Sequence, residues 1–597
     1  MSEQNTFEHH IERGLAVKLI SFKDDDRKKI VYHAKTEKTY SFKDPEEKVR
    51  AAYFVELNLD YQYPKNQIDL EVTVPRRTPS DLADIVIYSD TECKDPFLVI
   101  ECKKEGITPA EYKQAIEQAF GNANSLRSKY SAVIAGNTRT AFDVAGFKPE
   151  ERERNIISNI PTKFGKVSKF RFIKGDEHND LKEVSREELI STLEKCHDTV
   201  WQGGKLAPTT AFDEVSKLLF CKLKDEKDTV EDGRVYQFQI GTHESAVDVF
   251  NRIDGIYQKA KQQDAEVFKG NINLEPKVVY QVVEHIQGIN FGDTDLDTKG
   301  VAFERFMQDF FKGKMGQFFT PRKIIEFCVK LMEVKKDHYV LDPASGSGGF
   351  LLNTLDTLRK YAEAHIKNPV QAYSHWHDFA KDNLFGIEIN DQIARVCKMN
   401  MIIHDDGHTN VISSSALERF SDIGKTHKGF KKDHFDIILT NPPFGATIKS
   451  SETDILDTFE LGKGRKNQKT EILFIERCID FVKPRIGKLC LVLPDGILTN
   501  SSLQYVRDFM MERCQIDAVI SLPQFAFSHY GAGVKSSLVF LRRKAENEEL
   551  GDYPIFMAIA ERIGYDATGR EDKQNDLDKI LEEYHVFKSA PTVYEGC

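Results

Sequence analysis

Apolar residues along this chain recur with two periods, and blocks of one period follow blocks of the other. Within residues 1–150, Ala83-Asp84-Ile85-Val86-Ile87-Tyr88 and Pro96-Phe97-Leu98-Val99-Ile100-Glu101-Cys102-Lys103 predict neighbouring strands, and Ser131-Ala132-Val133-Ile134-Ala135 predicts a further one. Each is an apolar run of strand length. Residues 151–170 are charged and contain breakers, which predicts a linker or outer edge. Residues 171–312 carry mainly helical spacing, in Leu181 to Val200, Ala211 to Lys224, Val278 to Ile289 and Gly300 to Phe311. From 313 to 566, strands and helices alternate as in a doubly wound α/β sheet. There His338 to Leu341, Leu384 to Ile389 and Phe435 to Thr440 predict strands, and Phe350 to Tyr361 a helix. The tail, 567–597, begins charged, and Asp576 to Tyr584 predicts a short helix, a possible docking segment.

Chemistry enters where strands end. The run Phe435 to Thr440 stops at Asn441-Pro442-Pro443-Phe444. The prolines end the strand and stiffen the backbone. An amide, a rigid carbonyl and an aromatic ring therefore stand together at a strand's carboxyl end, where open α/β sheets bind ligands. The Asn441 side-chain oxygen and the Pro442 carbonyl suit the two N–H bonds of an exocyclic amino group, and Phe444 suits stacking on its ring. Upstream, the strand ending at Leu341 runs into Asp342-Pro343-Ala344-Ser345-Gly346-Ser347-Gly348-Gly349. Its glycines permit positive φ and close approach to a ligand. The next strand carries Glu388 near its end, where nucleotide-binding folds place a ribose acceptor. Gly424-Lys425-Thr426 does not complete a phosphate-binding loop, because Arg419 stands where the first glycine belongs.

Together these segments resemble the N6-adenine DNA methyltransferases, specifically the modification subunits of type I restriction systems. The resemblance spans roughly residues 170–570 and adds Gly316-Gln317-Phe318-Phe319-Thr320-Pro321, Leu493-Pro494-Asp495-Gly496, Gly533-Val534-Lys535-Ser536-Ser537 and Ile563-Gly564-Tyr565-Asp566. It implies a Rossmann-like doubly wound methyltransferase domain at 313–566, preceded by a helical domain of modification-subunit type at 171–312. It implies S-adenosylmethionine as cofactor, bound by Phe319, Thr320, Pro321, Asp342, Pro343, Ser345, Gly346, Gly348, Gly349 and Glu388. Ser415 stands where the family usually has an acid facing the cofactor's adenine, and a hydroxyl bonds an amino group more weakly than a carboxylate. Asp405 and Asp406 lie on the preceding segment. The resemblance also implies a flipped adenine held by Asn441 and Pro442, within the catalytic motif Asn441 to Phe444, and stacked between Phe444 and Phe527. Phe525 is equally placed by sequence.

The amino-terminal third suggests a second chemistry. Period two puts Glu101 and Lys103 on one strand face, with Asp84 on the neighbouring strand. Asp84, Glu101 and the Cys102 carbonyl make a hard-oxygen set suited to Mg²⁺. Lys103 stands where it would orient an attacking water, whose pKa the metal lowers. Residues 44–145 resemble the amino-terminal PD-(D/E)xK nuclease domain of type I restriction subunits. The resemblance rests on Asp44-Pro45-Glu46-Glu47-Lys48-Val49-Arg50 at a helix start, on Gln114 to Ala119 with Gln118, and on the Ser131 to Ala135 strand. Glu47 is a weaker candidate for a further acid near the metal. The implied whole is a restriction–modification subunit that methylates adenine N6 and cleaves unmodified DNA. The alternative is a methyltransferase with an inactive DNA- or partner-binding module at its amino end.

Composition adjusts this picture. At 597 residues the chain has room for three or four domains. A net charge of −11 leaves DNA contact to local basic clusters, Lys425 to Lys432 and Lys463 to Lys469, or to a partner. About 30 residues follow the last signature, too few for a recognition domain of ordinary size. The expected partners are therefore double-stranded DNA and a separate DNA-specificity subunit, in a hetero-oligomer holding more than one copy of this chain. Ten cysteines without a Cys-x-x-Cys pair fit a reducing cytoplasm. Met1 to Gly14 lacks the apolar core of a signal peptide, and no apolar run approaches a membrane span.

Overall fold

The computed structural model describes residues 4–24, 26–75, 81–136, 138–146, 154–176, 179–204, 206, 208–263, 270–294, 298–299, 302–303, 320–404, 410–451, 454–528 and 533–589. It divides into two units, Met1–Thr298 and Lys299–Cys597.

In the first unit, Pro45 occupies the first turn of helix Pro45–Leu59, where no N–H is missed, and the Asp44 side chain accepts the Glu46 N–H. A three-stranded antiparallel sheet, Ile20–Phe22, Lys29–His33 and Glu37–Ser41, precedes it. A six-stranded sheet follows in chain order: Ile68–Val74, Asp81–Tyr88, Pro96–Lys103, Tyr130–Ala135, Thr138–Asp143 and Ile156–Ile157. Its one parallel pair, Pro96–Lys103 with Tyr130–Ala135, needs a crossover. Helix Pro109–Leu126 supplies it, opened by a capping box between Thr108 and Glu111. Phe54, Val55 and Leu57 share one core with Ile85, Ile87, Leu98 and Ile100. Ala115 and Ala119 pack against Val133, and Ala123 against Val99.

Of the stretch expected as a linker or outer edge, Ile156–Ile157 forms the outer strand of this sheet. Ile157 and Ile160 are buried in the core, and the Tyr63 hydroxyl donates to the Pro161 carbonyl. Apolar side chains in a charged stretch fix it there. The unit continues through helices Arg186–Gly204, Pro208–Asp228, Ala246–Gln263 and Pro276–Ile286. The expected helix Gly300 to Phe311 lies almost wholly outside the described residues.

The second unit holds an eight-stranded sheet in the order Val411–Ser413, Leu384–Glu388, Val340–Asp342, Ile437–Thr440, Lys488–Pro494, Ser536–Arg543, Cys514–Ser521, Phe556–Ile559. The first five strands are parallel, and Ser536–Arg543 runs antiparallel to both its neighbours. From Val340–Asp342 the chain winds outward through Leu384–Glu388 to Val411–Ser413. It then returns to the other side with Ile437–Thr440. The winding thus reverses between Val340–Asp342 and Ile437–Thr440, and a crevice opens there at the strands' carboxyl ends.

The expected short tail helix runs Asp576–Ser589, and its apolar face is already used. Leu577, Ile580 and Tyr584 are buried in this unit's own core, and Lys588 pairs with Glu333 at 2.7 Å. Apolar residues at helical spacing sought a core, and the nearest one is in the same unit. Among the described residues no helix is long and apolar enough to cross a membrane.

Candidate functional site

The crevice gathers motifs that lie about a hundred residues apart. Val340 pairs with Ile437 and Leu341 with Ile438, so Asp342 and Asn441 leave adjacent strands on the same side. After Asp342 the chain turns tightly, and the Ala344 N–H donates to Asp342 Oδ1 at 3.0 Å. Pro343 and Ser345 are buried, and the Ser345 N–H donates to the Ile387 carbonyl at 2.9 Å. Gly346 and Gly348 take φ of 51° and 91°, which L side chains rarely adopt. A Cβ on Gly348 would meet Cys397 Sγ at 2.9 Å, and one on Gly349 would meet Ile325 Cδ1 at 2.8 Å. A Cβ on Gly346 would meet nothing within 4 Å, so the loop presents bare backbone to open space there.

Glu388 closes this loop. Its Oε2 accepts the Gly346 N–H at 3.1 Å and its Oε1 accepts the Asn390 N–H at 2.8 Å. Burial pushes the Asp342 carboxyl up to about 7, against the lowering effects of Thr440 and the Ala344 N–H.

Asn441 donates from Nδ2 to Thr320 Oγ1 at 3.0 Å, while its buried Oδ1 has no partner among the described residues. An unsatisfied buried acceptor is costly and marks a place for a donor. Pro442 is buried, and Thr470 Oγ1 donates to the Pro443 carbonyl at 3.0 Å, fixing the turn. Phe444 is half-buried against the core. Phe527, expected to stack on a base, is only 2% exposed and sits inside the core. The half-buried ring of that turn is Phe525. Ser415 is half-buried, and its Oγ accepts the Leu417 N–H at 3.3 Å, a local turn contact. Pro321 caps helix Arg322–Met332 beside Thr320, whereas Phe319, Asp405 and Asp406 lie outside the described residues.

One loop support escaped the sequence reading. Asn400, 3% exposed on helix Asp391–Ile403, donates to the Ser347 carbonyl at 3.1 Å. Its signal was a lone amide between Met399 and Met401 in an otherwise apolar stretch. Of the basic clusters, Lys425 pairs with Asp422 at 2.6 Å and Lys432 with Asp480 at 2.9 Å. The second cluster is better presented. Lys463, Arg465 and Lys466 are exposed beside a two-stranded ribbon, Thr447–Lys449 with Asn467–Lys469, that starts just after Phe444.

In the first unit, two ladders break around Asp84. Pairing with Ile68–Val74 skips the Glu71–Asp84 position, and pairing with Pro96–Lys103 stops at Ile85–Ile100. The freed Cys102 N–H donates to Asp84 Oδ2 at 2.7 Å. Lys103 Nζ donates to Glu101 Oε1 at 2.8 Å, and buried Glu101 Oε2 has no partner among the described residues. Burial first, then the Asp84 charge, pushes the Glu101 carboxyl up to about 8. Burial raises Asp84 as well, against the Cys102 N–H and Arg50. An unpartnered carboxylate oxygen between two mutually repelling acids fits a hard cation. Glu47 is not presented to that place. Tyr32 and Arg50 both donate to its carboxylate. Gln118 Nε2 donates to Asp81 Oδ1 at 3.2 Å.

Residues 45–161 match the family described as the type I restriction enzyme R protein N terminus. The EcoEI type I restriction enzyme methylase subunit of Escherichia coli is 25% identical over 276 residues, which cover 46% of this chain and 52% of that one. The StySPI methylase subunit of Salmonella potsdam is 25% identical over 385 residues, covering 60% and 68%. The chain thus spans about half to two thirds of the length of these relatives. The crystal structure of the type I restriction-modification methyltransferase subunit from Streptococcus thermophilus aligns at 17% identity with a TM-score of 0.49, over 68% of this chain and 94% of that one. Residues 294–594, just over half of the chain, match the family described as N-6 DNA methylase and include the Gly-rich loop, Glu388 and the Asn441 turn, so the chain belongs to the N-6 DNA methylase family.

Proposed function

We propose that the second unit transfers a methyl group from S-adenosylmethionine to adenine N6 in DNA. The observation that carries this is the unpartnered, buried Asn441 Oδ1 beside the loop that Glu388 ties down. The bare backbone at Gly346 and the Glu388 carboxylate suit the cofactor's polar end and ribose, with Thr320, Pro321, Asp342, Pro343, Ser345, Gly348, Gly349 and Ser415 around them. The bound cofactor supplies an electrophilic sulfonium methyl. Asn441 Oδ1 and the Pro442 carbonyl accept hydrogen bonds from the two N6–H groups and direct the nitrogen lone pair. Phe444 stacks on the base, and Phe525 is the better-placed second ring. Reading an amino group inside a duplex requires a flipped base. Holding it in line is the protein's main contribution, since good orientation supplies about 7–11 kcal/mol. The exposed Lys463, Arg465 and Lys466 suit phosphate contact.

Because its relatives are named as subunits, we infer a complex with double-stranded DNA, a separate DNA-specificity subunit and more than one copy of this chain. The test is a map of N6-methyladenine in the DNA of cells expressing the chain with its neighbouring genes. Methylation at one sequence motif, lost in Asn441→Ala, is the expected result. Equal methylation in both strains would refute the assignment.

For the first unit we propose Mg²⁺-dependent DNA cleavage. Asp84, Glu101 and the Cys102 carbonyl would hold the ion, which lowers the pKa of a bound water. Lys103 positions that water. The support is the orphaned Glu101 Oε2 and the break in both ladders at Asp84. One observation favours a second reading, an inactive DNA- or partner-binding module: Asp84 and Glu101 are already met by the Cys102 N–H and by Lys103. Cleavage that survives Asp84→Ala would exclude the first reading.

A further inference from the structure

Arg50 lies among the acids of the first unit, and neither proposed chemistry uses it. It stands on helix Pro45–Leu59 one turn after Glu47, with its side chain 8% exposed. Its Nε donates to Glu47 Oε1 at 3.3 Å, and its Nη2 donates to Glu47 Oε2. Its Nη1 donates to Glu71 Oε1 at 3.0 Å and lies 3.6 Å from Asp84 Oδ1. The guanidinium carbon sits 4.4 Å from the centre of the Tyr40 ring. Three carboxylates on three elements therefore surround one guanidinium.

The backbone is bent to make this possible. Glu71 has φ of 45°, a left-handed conformation inside strand Ile68–Val74, at the position that would pair with Asp84. Such strain persists only where the surroundings enforce it. Here it lets Glu71 reach the guanidinium across the broken ladder.

We propose that the Arg50 guanidinium fills the place of a second cation, so that the site at Asp84 and Glu101 takes a single divalent ion. The proposal rests on the cleavage reading of this unit. Two-metal sites hold their ions about 3.5–4 Å apart, bridged by shared oxygens. Asp84 Oδ1 would have to be the shared ligand, and magnesium sits about 2.0–2.1 Å from its oxygens. Arg50 Nη1 already lies 3.6 Å from that oxygen, held by Glu47 and Glu71, where a second ion would have to sit.

The test counts Mn²⁺ ions bound by the full-length chain, from the loss of the free-ion paramagnetic resonance signal. Sites that vanish in Asp84→Asn are assigned to this unit. Wild type is expected to show one such site. Arg50→Met, which leaves Glu47, Glu71 and Asp84 without their cation, is expected to show two, and Arg50→Lys, which keeps the charge, one. Two sites in wild type or in Arg50→Lys, or one in a folded Arg50→Met, would overturn the proposal. If Arg50→Met fails to fold, the wild-type and Arg50→Lys counts decide. No Asp84-dependent site in wild type would instead remove the cleavage reading itself.

Discussion

The two candidate sites hold their acids in opposite ways. In the crevice of the second unit, Asp342 and Glu388 accept backbone N–H groups from Ala344, Gly346 and Asn390. In the first unit, Glu101 is bonded to Lys103, and Asp84 faces Arg50 as well as the Cys102 N–H. Acids held by backbone amides keep their place when a ligand arrives. Acids held by side-chain cations are electrically coupled to whatever enters. The first arrangement suits a positively charged organic cofactor that must be oriented. The second suits a small ion that competes with existing charges, and it should respond more strongly to pH.

This contrast can be broken in several places. The largest effect expected is on cleavage. Asp84→Asn should abolish it and remove divalent-ion binding, measured by calorimetry, while leaving S-adenosylmethionine affinity within twofold. A matching loss of cofactor affinity would mean that the sites are not independent. Glu388→Ala should weaken the cofactor by roughly 5- to 150-fold, the equivalent of about 1–3 kcal/mol for leaving two N–H groups unpaired and losing the ribose contact. Unchanged binding would show that the backbone-held acid is only structural.

The smallest effect is on stability against pH. Glu101, raised by burial and by Asp84 to about 8, favours folding while it carries its proton. Its contribution is whole below the ordinary carboxylate range and is lost as pH rises through about 8. Thermal unfolding of the first unit should therefore move to lower temperature between about pH 5 and about pH 9, and Glu101→Gln should flatten the slope. A slope that Glu101→Gln leaves intact would assign the effect to another group.

The sequence carried the strands and the crevice well, for a physical reason. Strands buried on both faces are unbroken apolar runs, so Pro96–Lys103 was delimited to the residue and Leu384–Glu388 to within one. The glycines and prolines at strand ends are forced by backbone geometry, which is local. The Arg50 cluster was illegible because Glu46-Glu47-Lys48-Val49-Arg50 has the pattern of an exposed, charged helix start. Only tertiary packing turns Glu47 and Arg50 inward, and only the fold sets the φ of Glu71. Phe525 and Phe527 share a short turn without periodicity, so no pattern told the core ring from the presented one. The helix Asp576–Ser589 advertised an apolar stripe but not whose core would receive it.

The most direct test of the central claim is transfer of labelled methyl groups from S-adenosylmethionine to DNA by the purified complex, with cofactor binding measured in parallel. Asn441 makes no described bond to the Gly-rich loop or to Glu388, only one to Thr320, and its buried Oδ1 is left as an acceptor. The account therefore predicts label on adenine N6 in wild type, and a loss of about a thousandfold or more in Asn441→Ala, as expected when several kcal/mol of orientation are removed. Cofactor affinity should fall far less, by no more than the loss of the Thr320 bond. Label transfer that survives Asn441→Ala, or that appears on another atom, would contradict it.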